Sequence, residues 1–337
     1  MRVLLIGGTG LISVGILKAL QARGTDLAMI NRGQTTAKAA EPLPKGITTF
    51  QADRRDVEAM KTVVGTERFD VVIDMVAFTE AEAKGGMELA RHVGATQLIF
   101  CSTVCTYGID IPPHVLVDEA FEQNPVSDYG RGKVAAEQRL LGEHDRGDVA
   151  VTIVRPSHTY GEGGPLICQL EFDTPTWSRL AAGKPVMLAG DGLGLWNSTH
   201  RDDVGELFAR ACLSEVTFGQ TYNATTHETQ TWNDYYRRVA GVIGKPADLV
   251  YAPRDWIVAF DPDRFGLLRE ITGFHGTYDS GKARRDLDWA CKVSFEDGVQ
   301  RTLNDIARRS AAKPADDTLL DEMLTAAESA ALPNCRL

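Results

Sequence analysis

Two short stretches hold most of the side chains that could move a proton at one reacting centre. Tyr129-Gly130-Arg131-Gly132-Lys133 places a phenol and an ammonium four residues apart. On a helix that spacing puts both groups on one face. A nearby cation favours phenolate, so Lys133 could bring a group with a reference pKa of about 10 toward working pH. Upstream, Phe100-Cys101-Ser102-Thr103-Val104-Cys105-Thr106-Tyr107-Gly108 closes an apolar, strand-like run. It offers hydroxyls that could hold a substrate oxygen against the phenol.

The elements that must position these groups follow from the hydrophobic pattern. Arg2–Ile6, Leu27–Ile30, Gly46–Gln51, Val71–Met75, Gln97–Cys101 and Val149–Val154 are short apolar or β-branched runs, and helical spacing follows the first at Val14–Arg23. Strands separated by helices predict βαβ units and a parallel sheet covered on both faces. Such a doubly wound α/β sheet binds ligands at the C-terminal ends of its strands. From Tyr160 onward aromatic residues, proline and glycine thicken, which predicts a smaller, loop-rich α+β lobe with helices at Asp202–Cys212 and Thr231–Ile243. The expected division is a Rossmann domain over 1–160, its sheet completed by parts of 195–225. An interleaved substrate-binding lobe follows over 161–310, and an acidic helical tail over 311–337.

Gly7-Gly8-Thr9-Gly10-Leu11-Ile12-Ser13 lies between the first strand and the first helix. There a tight turn lets backbone approach a pyrophosphate and the helix N-terminus offers unpaired N–H groups. Gly7, Thr9, Gly10, Leu11 and Ile12 are therefore expected cofactor contacts; a plain glycine-rich turn is the alternative. The second strand ends in Asn31-Arg32, where an acidic residue would suit the ribose hydroxyl of NAD. Arg32 suits a 2′-phosphate instead, so NADP is expected and NAD is the alternative. Asp53 and Arg54 would lie near the adenine, or form only a surface charge cluster. Ala77, just past the fourth strand, is counted with the cofactor contacts.

Composition narrows the function. The 337 residues carry a net charge of −10, which counts against a phosphate-backbone binder, and 43% hydrophobic residues, enough for a sizeable core. No signal-like leader or membrane-spanning stretch is present, and six scattered cysteines look like reduced thiols. A cytoplasmic protein acting on a small molecule, with no nucleic-acid or membrane partner, is the expectation. No pair of histidines or Cys-x-x-Cys motif has metal-ligand spacing, so no metal is expected.

Together these motifs resemble the extended short-chain dehydrogenase/reductase family, which contains UDP-galactose 4-epimerase and many sugar reductases and dehydratases. The resemblance runs from the first strand to about Val299. It rests on the Gly7–Ser13 turn, Ser102–Gly108, Tyr129-x-x-x-Lys133, Val154-Arg155-Pro156, Tyr160-Gly161, His200-x-Asp202-Asp203-Val204 and Tyr278-x-x-x-Lys282. It implies Tyr129 as general acid/base, Lys133 as the group that lowers its pKa and binds the nicotinamide ribose, and Thr103 as the hydroxyl orienting the same oxygen. Pro156 would lie by the nicotinamide ring, and hydride would pass to or from a carbon bearing OH or C=O.

Departures from the family pattern bear on the substrate. His158 and Trp196 stand where many nucleotide-sugar members have an Asn and an Arg that contact a diphosphate, and losing the Arg removes a charge-assisted clamp. Trp196 could stack on a sugar ring or simply fill the lobe interface. Cys105 stands where some family epimerases place an acid/base, and could pair with His158; a buried thiol and a pocket-wall imidazole are the plainer readings. The expected function is hydride transfer on a polyhydroxylated, sugar-like substrate. An epimerase with internally recycled cofactor is the alternative, and a catalytically silent NADP- or RNA-binding protein, as in the family's chloroplast stem-loop-binding branch, is a second class. Val134, Ala135, Ala136, Leu140 and Leu141 could line a homodimer interface or pack onto the chain's own sheet.

Overall fold

A computed structural model describes residues 1–33, 43–172, 175–310 and 317–329. In chain order the first half contains β1 (Arg2–Ile6), α1 (Leu11–Gln21), β2 (Asp26–Asn31), β3 (Thr48–Gln51), α2 (Val57–Val64), β4 (Val71–Asp74), α3 (Glu80–His92) and β5 (Gln97–Cys101). A 3₁₀ turn at Val104–Tyr107 leads to α4 (Asp128–His144) and β6 (Ala150–Pro156). Then come β7 (His158–Tyr160), α5 (Thr176–Ala181), β8 (Val186–Ala189), β9 (Leu195–Trp196), β10 (Ser198–His200), α6 (Arg201–Ala211), β11 (Gln220–Ala224), β12 (Gln230–Thr231), α7 (Trp232–Ile243) and β13 (Leu249–Ala252). The last helices are α8 (Arg254–Phe260), α9 (Gly281–Leu287), α10 (Phe295–Ser310) and α11 (Thr318–Ser329).

Seven strands form one parallel sheet in the order β11-β6-β5-β4-β1-β2-β3. The strand order reverses between β1 and β4, which opens a crevice at their C-terminal ends. Alternation along each strand feeds two cores. Leu4 and Ile6 of β1 join the layer of α2, α3 and α4, whereas Val3 and Leu5 join the layer of α1 and α6. The crossing of α1 and α6 is glycine on glycine: a Cβ on Gly15 would lie 2.3 Å from the Arg201 carbonyl oxygen, and one on Gly205 would lie 2.2 Å from the carbonyl carbon of Gly15. Ala136 and Leu140 of α4 are buried in this chain's own sheet core, with Leu141 packed against it.

A third core lies beyond the sheet. The parallel pair β8–β13, the aromatic residues Trp177, Trp232, Tyr235 and Tyr236, and Leu320, Met323, Leu324 and Ala327 of α11 bury one another. The acidic tail therefore packs as a helix over its described part. Helix starts shift by up to three residues from expectation. Thus α7 begins at Trp232 because Thr231 is its N-cap, accepting the Asp234 N–H at 3.1 Å. Among the described residues no helix is long and apolar enough to cross a membrane.

Candidate active site

A cavity of about 910 Å³ runs along the C-terminal ends of β1, β2, β4, β5 and β6. At one end the Gly7–Ser13 turn enters α1. Gly7 has φ +88°, and a Cβ there would meet Val76 Cγ1 at 2.5 Å. Gly10 is the N-cap of α1 and brings no side chain to its amides, so the helix N-terminus is open to the cavity. Ser13, where a glycine is usual, donates to the Gly7 carbonyl at 2.7 Å and so closes the turn itself. Thr9, Gly10, Leu11 and Ile12 all line the cavity.

Asn31 and Arg32 line the same cavity at the end of β2. The Asn31 Oδ1 accepts the Gly33 N–H at 2.8 Å, which leaves its amide NH₂ as the free function, a donor. Asp53 is also on the wall, but both its oxygens are engaged by the Arg55 guanidinium at 3.2 and 2.9 Å. These bonds hold the Asp53 carboxyl well below the usual range. Arg54 turns inward to a buried ion pair with Asp74, and its Nε and Nη1 find no partner among the described residues. Ala77 is not on the wall: its side chain is in the sheet core and its N–H is held by Asp74 at 3.1 Å. Val76 and Phe78, its neighbours, line the cavity instead.

The reacting end is built by β5 and the first turn of α4. Thr103 caps the 3₁₀ turn, accepting the Cys105 N–H at 3.2 Å, and it shares the cavity wall with Tyr129. Lys133 is buried one turn along α4 and donates to the Cys101 carbonyl at 2.7 Å. Its ammonium lies 5.8 Å from the centre of the Tyr129 ring. The expected acidification of Tyr129 is not what the structure shows. The ring is 43% exposed, but burial of the hydroxyl end pushes its pKa above the ordinary 10. Cys101 and Cys105 add to that rise, and the Thr103 side chain pulls the other way. Lys133 is lowered, mainly by burial. Pro156, at the end of β6, shares this wall.

Behind the hydroxyls lies a buried network that sequence reasoning missed. Arg155 grips Glu137 through Nε at 2.9 Å and Nη2 at 2.5 Å, and its Nη1 reaches the Tyr107 hydroxyl at 2.8 Å. Ser102 donates to Glu137, so it is a support for the Thr103 segment. The Lys133-x-x-x-Glu137 spacing, again four residues on one helix face, was the available signal.

A second cavity, of about 160 Å³, adjoins the first; Thr103, Ser157, His158 and Phe172 line both. Cys105, Trp196, Glu270, His275 and Tyr278 line the second. Trp196 does not offer a stacking face: Trp232 lies stacked on it at 5.0 Å, and a Cβ on Gly276 would be 3.3 Å from its six-membered ring. It fills the lobe core. His158 is kept neutral, burial lowering its pKa to about 3, and its Nδ1 pairs with Ser198 Oγ at 3.2 Å. Burial also pushes the Cys105 thiol up. Both residues line the second cavity, with the thiol and the imidazole each favoured in the neutral form. Among the described residues no cluster could hold a metal ion.

Comparison with known proteins adds four findings. A model of the NAD dependent epimerase/dehydratase family matches residues 3–224. The chain is 30% identical over 281 residues to 2′-dehydrokanamycin reductase of Streptomyces kanamyceticus, covering 83% of this chain and 77% of that one. It is 24% identical to the chloroplast stem-loop binding protein of 41 kDa b of Arabidopsis thaliana, over 96% and 84% of the two chains. Among solved structures, UDP-glucose-4-epimerase from Stenotrophomonas maltophila, with bound NAD and formylated UDP-arabinopyranose, superposes with a TM-score of 0.76. It is 20% identical, over 93% of this chain and all of that one, a likeness of fold.

Proposed function

The chain belongs to the NAD dependent epimerase/dehydratase family, and from that premise we propose an NADP-preferring reductase. It would act at a secondary alcohol or ketone of a polyhydroxylated, sugar-like molecule, with Tyr129 as general acid/base. Membership makes it an NAD(P)-dependent enzyme of the extended short-chain dehydrogenase type. The observation that carries the finer reading is Tyr129 and Thr103 on one wall of the large cavity, Thr103 also lining the second, with Lys133 one turn away.

The cavity residues fit a dinucleotide. The glycine-rich turn at Gly7–Gly10 and the open N-terminus of α1 suit a pyrophosphate. Arg32 and the amide NH₂ of Asn31 suit a 2′-phosphate at the adenosine ribose. Lys133 would hold the nicotinamide ribose, and Pro156 would lie against the ring. When bound, the cofactor supplies the hydride. In the reductive direction Tyr129 gives its proton to the carbonyl oxygen, and Thr103 donates a hydrogen bond to that same oxygen. A phenol held protonated by burial is suited to begin as the acid.

The second cavity supports a substrate without a diphosphate. No Lys or Arg lines it among the described residues, and Glu270 is its charged group. Its volume is below the roughly 300–1,000 Å³ of drug-sized sites, which suits a single ring. The amino-acid identity to a dehydrokanamycin reductase supports reduction of a sugar-like ketone with an exchanging cofactor.

Native mass spectrometry followed by NADPH oxidation with a panel of keto-sugars tests this. The chain is expected to purify without tightly held dinucleotide and to bind NADPH better than NADH. Tyr129→Phe should keep that binding and lose turnover by roughly 10²–10⁴-fold. Dinucleotide retained through purification supports the recycling epimerase instead, and full turnover by Tyr129→Phe removes Tyr129 from the chemistry.

A further inference from the structure

Lys133 is 1% exposed, and among the described residues its ammonium makes one hydrogen bond, to the Cys101 carbonyl. An ammonium has three donors. Two aromatic rings lie close to it: Nζ is 4.8 Å from the centre of the Phe78 ring and 4.7 Å from that of Phe100. Phe100 is a fully buried residue of β5, held by the sheet. Phe78 is different, because its ring is 46% exposed on the cavity wall.

The backbone fixes Phe78 from both sides. Its N–H donates to Glu82 at 2.7 Å. Its carbonyl leans on the first turn of α4, where a Cβ on Gly132 would come within 2.2 Å of that oxygen. Gly132, inside the Tyr129–Lys133 turn, thus lets residue 78 reach the lysine. The ring also contacts Tyr129, centroid to centroid at 6.0 Å.

We propose that Phe78 is a positioning residue for Lys133: its ring and that of Phe100 form a two-sided aromatic clamp that keeps the buried ammonium charged and seated beside Tyr129. The negative faces of the rings stand in for missing acceptors. The charged groups around Lys133 leave work for such a clamp. Asp74 and Glu137 favour its charge, but each is committed to an arginine, Arg54 and Arg155, and Arg54 opposes it. Cys101 is a buried thiol with a raised pKa, and it too stays neutral near pH 7. Burial acts against the charge.

The test reads Lys133 directly in the chain without cofactor or substrate. Protein labelled with [ε-¹³C]lysine is titrated by NMR, the Lys133 signal being assigned by its loss in Lys133→Met. Phe78→Leu, similar in bulk but without a ring, should lower the Lys133 midpoint by about one pH unit. Phe78→Tyr should restore it, and Phe78→Trp should raise it. A midpoint unmoved in both Phe78→Leu and Phe78→Trp overturns the proposal; should the leucine variant not fold, an unmoved midpoint in Phe78→Trp alone does so. The catalytic consequence rests on Tyr129 and Lys133 being the reacting pair, and it is read separately as an earlier alkaline loss of kcat/KM in Phe78→Leu. A shifted midpoint with an unshifted rate profile supports the clamp and counts against that pair.

Discussion

Glu137→Gln is the substitution whose cost can be worked most fully from the structure. The Glu137 carboxylate is 1% exposed and accepts from Ser102, from Gln123 Nε2 at 2.9 Å, and from Arg155 through Nε and Nη2. An amide keeps one oxygen and turns an NH₂ toward one of these donors. The charge is lost while Arg155, 5% exposed, stays cationic, because a guanidinium does not give up its proton in a protein. Breaking a buried pair by removing one partner costs about 3–5 kcal/mol, a large part of the roughly 5–15 kcal/mol that keeps a domain folded. With a urea slope of about 3 kcal/mol per molar, the midpoint should fall by roughly 1 M or more. Urea unfolding followed by circular dichroism and tryptophan fluorescence measures it. The double variant Glu137→Leu with Arg155→Met, which leaves no orphan charge, should regain most of the loss. A Glu137→Gln midpoint within roughly 0.3 M of the unaltered chain would refute the reasoning, because the pair would then be worth no more than a surface one.

Two further outcomes are expected. Arg32→Glu should weaken NADP binding by roughly 10–100-fold, the worth of one charge-assisted contact, and leave NAD nearly unaffected; equal losses for both cofactors, measured by fluorescence titration, would remove Arg32 from the 2′-phosphate. His158 should shape acid stability. Burial lowers it from 6.5 to about 3, so between those values the unfolded chain binds a proton that the folded chain refuses. Its contribution is therefore complete above about pH 6.5 and drains as pH falls toward 3, and thermal melts of His158→Gln should show a flatter decline there. An unchanged slope would mean that His158 takes up its proton in the folded chain.

Strand positions and the cofactor turn were legible because both rest on local signals: β-branched runs, and glycines where a strand meets a helix. The buried sheet follows from Val3–Ile6, Val71–Ile73 and Gln97–Cys101 with little else needed. What was not legible depends on what packs against a residue. Trp196 could have shown a free face to a sugar, and only the placement of Trp232 and Gly276 closes it. Arg54 lines the cavity as expected, but its pairing with Asp74, which brings the segment after β3 to the end of β4 across β2 and β1, was not legible. The sign of the Tyr129 shift was likewise hidden. Spacing places a cation on the same helix face, but burial, the largest cause of the rise, is a tertiary quantity.

The same contrast explains Tyr129-Gly130-Arg131-Gly132-Lys133. Glycine inside a helix costs up to about 1 kcal/mol against alanine, so two within one turn require a reason that propensity does not supply. A Cβ on Gly130 would stand 2.9 Å from the Cys105 carbonyl oxygen and 2.8 Å from Pro125 Cβ, and one on Gly132 would stand 2.2 Å from the Phe78 carbonyl oxygen. The first turn of α4 is thus seated on two segments at once, one following β5 and one following β4. Tyr129 and Lys133 are the side chains presented between them. Since a misplacement of about 1 Å can cost roughly 100-fold in rate, the lost helix propensity is small beside what the close seating secures. On the proposed mechanism, the two glycines therefore belong to the reacting geometry as much as the tyrosine and the lysine beside them.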